Sequence, residues 1–327
     1  MLRYKCLSVL CILSVVILYT SVCDVWAKAP DTPKIVFTSS GDANRDIYLM
    51  NIDGTEWVNL TNHPASDIRP AWSPTGEQIL FASDRDRFPR SWDLYLMDAD
   101  GSNVRRVFGK SKGRSGGKWS PDGKRITYIS LEKGERHVYI ASMDTKKEER
   151  VAFGGSADWS PDGTKLAIIV GGPRRMRIVM HNLQTGKQKF VFPPEARPSW
   201  MGGIAWSPIS NKLAFSWLHR VPLKDFVETE TVYTVNPDGT DLQQIVAEEG
   251  LAAIRPTWSP HGDVLLYEKL SAGAKSRIFK VDVAGGQPVQ LTEPGFHLLG
   301  DWFDPEFALP VSPQPKLLTT QWGKVKK

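Results

Sequence analysis

Trp119-Ser120-Pro121-Asp122-Gly123 decides the fold of this chain, because the sequence repeats it. The related stretches are Trp72-Ser73-Pro74-Thr75-Gly76, Trp159-Ser160-Pro161-Asp162-Gly163, Trp206-Ser207-Pro208, Trp258-Ser259-Pro260-His261-Gly262 and a degraded Trp302-Phe303-Asp304-Pro305. Successive tryptophans are 47, 40, 47, 52 and 44 residues apart. A self-similar period of about 40–50 residues is typical of propellers and solenoids.

Each repeat predicts a tight turn between two strands. Proline presets φ at the first corner of the turn, and the closing glycine supplies a positive φ. The tryptophan ends the preceding strand, where a flat ring fills the space between sheets. Strand-like runs follow at Ile126-Thr127-Tyr128-Ile129 and Val138-Tyr139-Ile140, and Val104-Arg105-Arg106-Val107 is an example of a short fourth strand. Four antiparallel strands per period predict one propeller blade.

The two ends of the repeat region are each incomplete. Ile35-Val36-Phe37-Thr38 has the pattern of the second strand of a blade, but no strand ending in Trp-Ser-Pro precedes it. The strand that ends at Trp302 is not followed by the three further strands that would complete a blade. The sequence therefore predicts an all-β, six-bladed β-propeller with four antiparallel strands per blade over residues 35–305. The C-terminal inner strand would join the N-terminal blade, which closes the ring and leaves no open sheet edge.

The repeats resemble a known family. Leu94-Tyr95-Leu96-Met97-Asp98-Ala99-Asp100-Gly101 and Asn59-Leu60-Thr61-Asn62-His63-Pro64 are similar to the β-propeller repeat of the TolB family. The resemblance implies a non-enzymatic scaffold that docks envelope proteins, such as a peptidoglycan-associated lipoprotein, within the Tol-Pal system. No α/β domain stands between the N-terminal segment and the first blade, so the contacts that domain makes in the family are not carried over.

The N-terminal segment predicts export. Arg3 and Lys5 precede an apolar run, and Val25-Trp26-Ala27 offers small residues for cleavage, so residues 1–27 are expected to be a signal peptide. A retained membrane anchor is the alternative. All three cysteines lie before the predicted cut, which leaves no disulfide and no thiolate ligand. We expect a periplasmic or secreted monomer without a membrane span after cleavage and without a cofactor. A lead at 28–34 and a Pro-rich basic tail at 306–327 would flank the propeller.

The net charge and the distribution of basic residues limit the classes of partner that the chain could bind. The formal net charge is +5, with 41% hydrophobic and 24% charged residues, which is an ordinary globular composition. Nucleic-acid binders are usually more basic, so nucleic acid is excluded as a partner. A basic run begins at Arg105 and ends at Lys118 with no acidic residue inside it. This run makes an anionic polysaccharide a candidate partner beside an envelope or extracellular protein; a solvated basic face is the alternative.

The residues before each tryptophan are candidates for the central channel. Side chains alternate along a strand, so positions one and three before tryptophan share a face. One residue before, the chain has Ala71, Lys118, Asp158, Ala205, Thr257 and Asp301; three before, it has Arg69, Gly116, Ser156, Gly203, Arg255 and Leu299. Arg69, Lys118, Asp158, Arg255 and Asp301 would make a small-anion or metal site. The alternative is a hydrated channel with satisfied ion pairs.

Two further groups of residues are candidates. His63 and His297 both precede inner strands and are predicted to meet near the closure, as a metal or acid–base pair. A long interruption lies between residues 217 and 231, and there Leu218, His219, Arg220 and Phe226 are candidates for a partner-binding loop. A channel-based enzyme of the lyase or hydrolase type, or a carbohydrate-binding propeller, is the alternative to the scaffold. That enzyme would need Asp158, Asp301, His63 and His297 to converge.

Overall fold

The computed structural model describes residues 28–310, apart from 41–43, 87–91, 111, 173–174, 194–199, 220–228, 248–251, 272 and 274. His219 and Thr229 are described by their backbone alone. The predicted signal peptide and most of the predicted tail lie outside the described residues. Within the described part, no helix has the length and apolar character needed to cross a membrane.

In the described part of the chain, twenty-four strands form six four-stranded antiparallel sheets, which confirms the predicted six-bladed, all-β propeller. Blade 1 consists of β1 (Lys34–Ser40), β2 (Arg45–Asn51), β3 (Val58–Asn59) and, from the far end of the chain, β24 (His297–Phe303). Blade 2 consists of β4 (Asp67–Trp72), β5 (Gln78–Ser83), β6 (Asp93–Asp98) and β7 (Arg105–Arg106). Blade 3 consists of β8 (Arg114–Trp119), β9 (Arg125–Glu132), β10 (Glu135–Ser142) and β11 (Glu148–Phe153).

The second half of the ring repeats the same order. Blade 4 consists of β12 (Ser156–Trp159), β13 (Lys165–Val170), β14 (Arg177–Asn182) and β15 (Gln188–Phe190). Blade 5 consists of β16 (Trp200–Trp206), β17 (Leu213–His219), β18 (Thr229–Val235) and β19 (Gln243–Gln244). Blade 6 consists of β20 (Ala253–Trp258), β21 (Val264–Ser271), β22 (Lys275–Asp282) and β23 (Val289–Gln290). A 3-10 turn, Pro305–Phe307, follows β24.

The ring closes as the incomplete repeats predict. β24 pairs antiparallel with β1, so that Ile35 lies opposite Trp302 and Ser39 lies opposite His297. The first blade is thus built from both ends of the repeat region, and its inner strand comes last in the chain. Closure of this kind removes the free sheet edges that an open array would expose.

The Ser-Pro turns have the geometry that the sequence predicts. In the turn after Trp119, the Gly123 N–H donates to the Ser120 carbonyl at 2.9 Å, and Gly123 has φ of 68°. The Ser120 Oγ accepts the Arg125 N–H at 2.9 Å. The serine therefore satisfies a backbone donor at the start of the second strand, and glycine permits a left-handed conformation that other residues adopt at a cost.

The hydrophobic core is divided among the gaps between neighbouring blades. The described residues form six buried clusters, each joining two consecutive blades around the ring. Trp72 packs with Phe303 and Phe81 between blades 1 and 2, for example, and Trp258 packs with Tyr267 between blades 5 and 6. Each blade buries both faces, which explains why the second strands read as almost continuous apolar runs.

Candidate functional site

A cavity of about 370 Å³ lies at the end of the channel where the Ser-Pro turns are. All six repeat tryptophans line it, together with three charged residues predicted for the channel, Lys118, Asp158 and Asp301. The size is within the range of small-molecule sites. We call this the tryptophan end of the channel.

Lys118, Asp158 and Asp301 form one charged group inside this cavity. The Lys118 Nζ lies 3.9 Å from Asp158 Oδ2. Burial disfavours the charged form of Lys118, but the charges of Asp158 and Asp301 outweigh it, and its pKa is raised. Burial raises the pKa of Asp301, against the opposing effect of Lys118. The single cation is therefore shared by two carboxylates, and the group carries one net negative charge when all three are ionised.

Both aspartates also join neighbouring blades. Asp158 accepts the N–H of Trp159 at 3.0 Å and, across the gap to blade 5, the N–H of Trp206 at 2.9 Å. Asp301 accepts the N–H of Trp302 at 2.9 Å and, across the gap to blade 2, the N–H of Trp72 at 3.0 Å. Each carboxylate thus has a structural task, because it satisfies two backbone donors on adjacent inner strands.

Arg69 and Arg255 lie one level further along the channel, away from the tryptophan end. Both have positive φ, 55° for Arg69 and 52° for Arg255, and Gly116 and Gly203 have positive φ at the matching positions. In each of these four inner strands the pairing register shifts beside this residue, which marks a β-bulge. An arginine in the left-handed region costs energy that glycine would avoid, so its presence at a bulge is a feature to be explained by function or packing.

The guanidinium groups of Arg255 and Arg69 have different surroundings. The Arg255 Nη1 lies 2.7 Å from Oε2 of Glu268, a fully buried residue of β21 whose Oε1 accepts the Leu299 N–H at 2.8 Å. Burial raises the pKa of Glu268, against the charge of Arg255. Within the described part of the chain, the guanidinium of Arg69 makes no hydrogen bond or ion pair, and its Nη1 lies beside Gly116, where the missing side chain leaves room.

A third arginine completes what we call the arginine cluster, defined as Arg69, Arg136 and Arg255. Channel solvent reaches Arg69, yet burial among the surrounding blades and the charge of Arg255 lower its pKa; the charge of Glu268 opposes this shift, and the charge of Arg136 adds to it. Arginine remains charged at any physiological pH, so this strain is not relieved by loss of a proton. A partly enclosed, unpaired guanidinium among like charges is suited to binding an anion.

An acidic residue, Glu230, also lies near the arginine cluster. Glu230 of β18 accepts the Ser216 hydroxyl at 2.6 Å, and burial raises the pKa of Glu230 against the influence of Ser216 and Arg255. The three arginines of the cluster outnumber the two carboxylates, Glu230 and Glu268, so this part of the channel keeps a net positive charge when all five groups are ionised.

The two predicted histidines have separate environments in the structure. His63 is exposed, and its Nδ1 accepts the Ala65 N–H at 3.0 Å. His297 is buried, with Nδ1 3.1 Å from the Ser39 hydroxyl and Nε2 3.0 Å from the Glu293 carbonyl. Burial lowers the pKa of His297. Since both ring nitrogens of His297 are engaged, the hypothesis of a joint metal or acid–base site with His63 gains no support from the geometry.

The predicted partner-binding loop is shorter than the sequence indicates. Leu218 and His219 belong to strand β17, where they pair with Glu230 and Thr229, and only residues 220–228 connect β17 to β18. The pairing with β18 continues the strand beyond Trp217, which corrects the assignment of Leu218 and His219 to a loop. Arg220 and Phe226 lie outside the described residues. Strand β17 ends, and β18 begins, at the end of the channel that carries the arginine cluster.

The basic run between Arg105 and Lys118 is largely neutralised in the structure. Its ion pairs are Arg105 with Asp98, Arg106 with Asp86, Lys112 with Glu148, Arg114 with both Asp93 and Glu148, and Lys118 with Asp158. The acidic partners lie in other segments of the chain, so the sequence of the basic run alone does not reveal them. An anionic polysaccharide remains a prediction without a matching basic surface at this run.

Sequence reasoning missed three residues that the structure brings to notice. Glu268 follows an apolar run, and only the bulge geometry brings the Arg255 side chain to it. Arg136, on the third strand of its blade, lies beside Gly155 and within electrostatic range of Arg69, a position that counting from tryptophan does not reach. His261, which replaces the aspartate of other Ser-Pro turns, lies 3.2 Å from Asp304 Oδ2 through its Nε2.

Comparison with known protein families agrees with the fold. The family described as "TolB beta propeller domain" matches residues 15–151. The Tol-Pal system protein TolB of Geobacter sulfurreducens is 37% identical over 52 residues. That match covers 16% of this chain and 12% of the relative, so the chain matches about an eighth of the curated relative's length.

Solved structures show the same architecture. TolB from Acinetobacter baumannii has a TM-score of 0.67 at 17% identity, over 82% of this chain and 66% of that chain. A putative TolB from Agrobacterium tumefaciens has a TM-score of 0.65 at 18% identity, over 86% of this chain and 99% of that chain. An oligogalacturonate lyase in complex with manganese has a TM-score of 0.51 at 20% identity, over 81% of this chain and 74% of that chain. At these identities the likeness concerns the fold alone.

Proposed function

Because the chain is a TolB-like β-propeller, we propose that it is an exported, non-enzymatic interaction scaffold of the cell envelope. Its partner is a protein that presents an acidic segment to the arginine cluster. Support for export comes from the pattern of residues 1–27, and support for an envelope role comes from the curated relative, whose name places that protein in the Tol-Pal system.

Arg69 is the observation that carries the proposal. Its guanidinium makes no hydrogen bond or ion pair among the described residues, its backbone is held at φ of 55°, and its neighbours Arg136 and Arg255 repel it. Each of these features works against the isolated fold. A carboxylate from a partner would offset all three, since guanidinium–carboxylate pairs are strong, charge-assisted contacts. Strain of this kind is concentrated at binding sites.

The channel carboxylates favour the scaffold over the lyase or hydrolase. Asp158 and Asp301 each accept two backbone N–H groups, and they share Lys118. A general acid or base needs a carboxylate that can exchange a proton with substrate. Here the same oxygens hold adjacent blades together, so the geometry supports binding at the arginine cluster better than acid–base chemistry at the tryptophan end.

The test compares two arginine variants in partner capture. The full chain, immobilised, is used to capture proteins from an envelope extract, and the captured protein is identified and its affinity measured by calorimetry at two salt concentrations. Arg69→Gln should weaken the affinity by about tenfold or more, because a charge-assisted contact is lost. Arg150→Gln, an exposed arginine on the outer strand β11, is the matched control and should leave the affinity unchanged.

The outcome also separates the alternatives. Equal affinity of the Arg69→Gln variant and the parent chain would contradict the proposed binding face. Binding that survives Arg69→Gln but is lost on replacing residues 220–228 by a short turn would assign recognition to that connection instead.

A further inference from the structure

We propose that His261, Asp304 and Glu306 form a binding site for one divalent transition-metal ion of the Zn²⁺ type, placed where the ring closes. His261 lies in the turn between β20 and β21 of blade 6, where the corresponding turns of blades 3 and 4 have Asp122 and Asp162. Asp304 and Glu306 follow β24, the closing strand of blade 1. The three side chains thus belong to two blades that the closure brings side by side.

The spacing of the three ligands fits a small metal ion. One ligand atom from each residue lies within 4.8 Å of the others, and His261 Nε2 lies 3.2 Å from Asp304 Oδ2. Tetrahedral zinc, with bonds of about 2.0–2.2 Å, holds neighbouring ligand atoms about 3.3–3.5 Å apart. The histidine and the aspartate are therefore already at ligand spacing. Glu306 is exposed, so its side chain can rotate to close the remaining distance.

The first two ligands are oriented by contacts around them. Asp304 is buried, and its Oδ1 accepts the Glu306 N–H at 3.0 Å, which directs Oδ2 towards the histidine. The His261 ring lies against Phe307 with centroids 4.5 Å apart and planes at 74°, which fixes the direction of Nε2. Outer contacts of this kind orient the ligands of established metal sites.

The donor set indicates the class of metal. One imidazole nitrogen and two carboxylate oxygens suit Zn²⁺ or a similar first-row ion, and water would complete the coordination. The bound ion would link the turn of blade 6 to the segment that leaves the closing strand. Its effect would be to stabilise the closed ring, because an ion that binds only the folded chain shifts the unfolding equilibrium.

The experiment uses the full chain, free of any affinity tag, stripped of metal with EDTA and dialysed. Calorimetric titration with ZnCl₂ should show one equivalent bound, and the thermal midpoint of unfolding should rise with ZnCl₂ concentration. His261→Gln and Glu306→Gln should each weaken Zn²⁺ binding by about tenfold or more, and Glu306→Gln should leave the midpoint of the metal-free chain unchanged, since that side chain is exposed.

A matched control comes from a second histidine–glutamate pair. Glu135 lies 3.9 Å from His137 and, among the described residues, has no second carboxylate grouped with them. Glu135→Gln should leave Zn²⁺ binding unchanged. The proposal is overturned if the parent chain binds no Zn²⁺ at millimolar concentration, or if the His261 and Glu306 variants bind Zn²⁺ as tightly as the parent chain, which would locate the metal elsewhere.

Discussion

His297 shows how one buried side chain can link acidity to the closure of the ring. Its Nε2 faces the Glu293 carbonyl, which can only accept, so Nε2 carries the proton and Nδ1 accepts from the Ser39 hydroxyl. The neutral ring satisfies both contacts. Burial lowers the pKa of His297 below its ordinary value of 6.5. The unfolded chain therefore binds this proton more tightly than the folded chain.

The lowered pKa of His297 determines how the stability of the folded chain changes with pH. The contribution of His297 to stability is complete above about pH 6.5 and decreases as the pH falls below that value, with a slope of at most about 1.4 kcal/mol per pH unit. His297→Gln should flatten the dependence of the unfolding free energy on pH below 6.5, measured by urea unfolding. Burial also lowers the pKa of His181, so part of the slope should remain. The exposed His63→Gln is the control; a His297→Gln slope equal to the parent's contradicts the argument.

Neighbouring inner strands are joined by more than apolar packing. Asp158 on β12 accepts the N–H of Trp206 on β16, and Asp301 on β24 does the same for Trp72 on β4. At the equivalent position, three other inner strands have Ala71, Ala205 and Thr257, which have no carboxylate. At this position, two of the six blade junctions in the described structure therefore have a carboxylate that accepts a backbone N–H from the next inner strand.

Removal of one such contact should be costly. Asp158→Ala leaves the N–H of Trp206 without its acceptor and removes one of the two carboxylates beside Lys118, and should lower the free energy of unfolding by about 2–4 kcal/mol. Thr257→Ala is the matched control, because its hydroxyl makes a single long contact of 3.4 Å to the Gly300 carbonyl, and it should cost less than about 1 kcal/mol. Chemical denaturation measures both. Equal costs would contradict the role of the carboxylate.

The elements were predictable to different degrees. Strand alternation placed Lys118, Asp158 and Asp301 on one channel-facing level, because the period of two is fixed by backbone geometry. The bulges beside Arg69 and Arg255 were not predictable, since an arginine carries no local signal for positive φ. For the same reason the partner of Arg255 was missed: Glu268 pairs with Ile254 in the strand register, and the bulge after Ile254 brings the Arg255 side chain to it.

At the scale of the whole molecule, six blades followed from counting tryptophans and from noticing two incomplete repeats. The repeat period can be counted directly along the sequence. The closure of the ring can be inferred because unpaired sheet edges are unfavourable. Side-chain contacts between the last blade and the closing strand could not be predicted from the repeat spacing. His261 and Asp304, 43 residues apart, meet because the last strand returns to blade 1 beside blade 6.

Truncation tests the closure. Removal of residues 296–327 deletes β24 and leaves β1 with an unpaired edge, so the truncated chain should aggregate and lose its cooperative thermal transition. Removal of residues 311–327 alone leaves every described strand intact and serves as the control, with a cooperative transition expected. Light scattering and a melting curve distinguish the two. A cooperative, unaggregated 1–295 chain would contradict the role of β24.

The register of the closing pair has a mechanical consequence. Lys34 and Phe303 lie opposite each other at the same end of the antiparallel pair β1 and β24. Tension between the two ends of the propeller would act on that outermost hydrogen bond first and then on each following bond in turn. The ring would resist compression from every side through its packed blades, yet it would peel open under a weak pull applied at this one point.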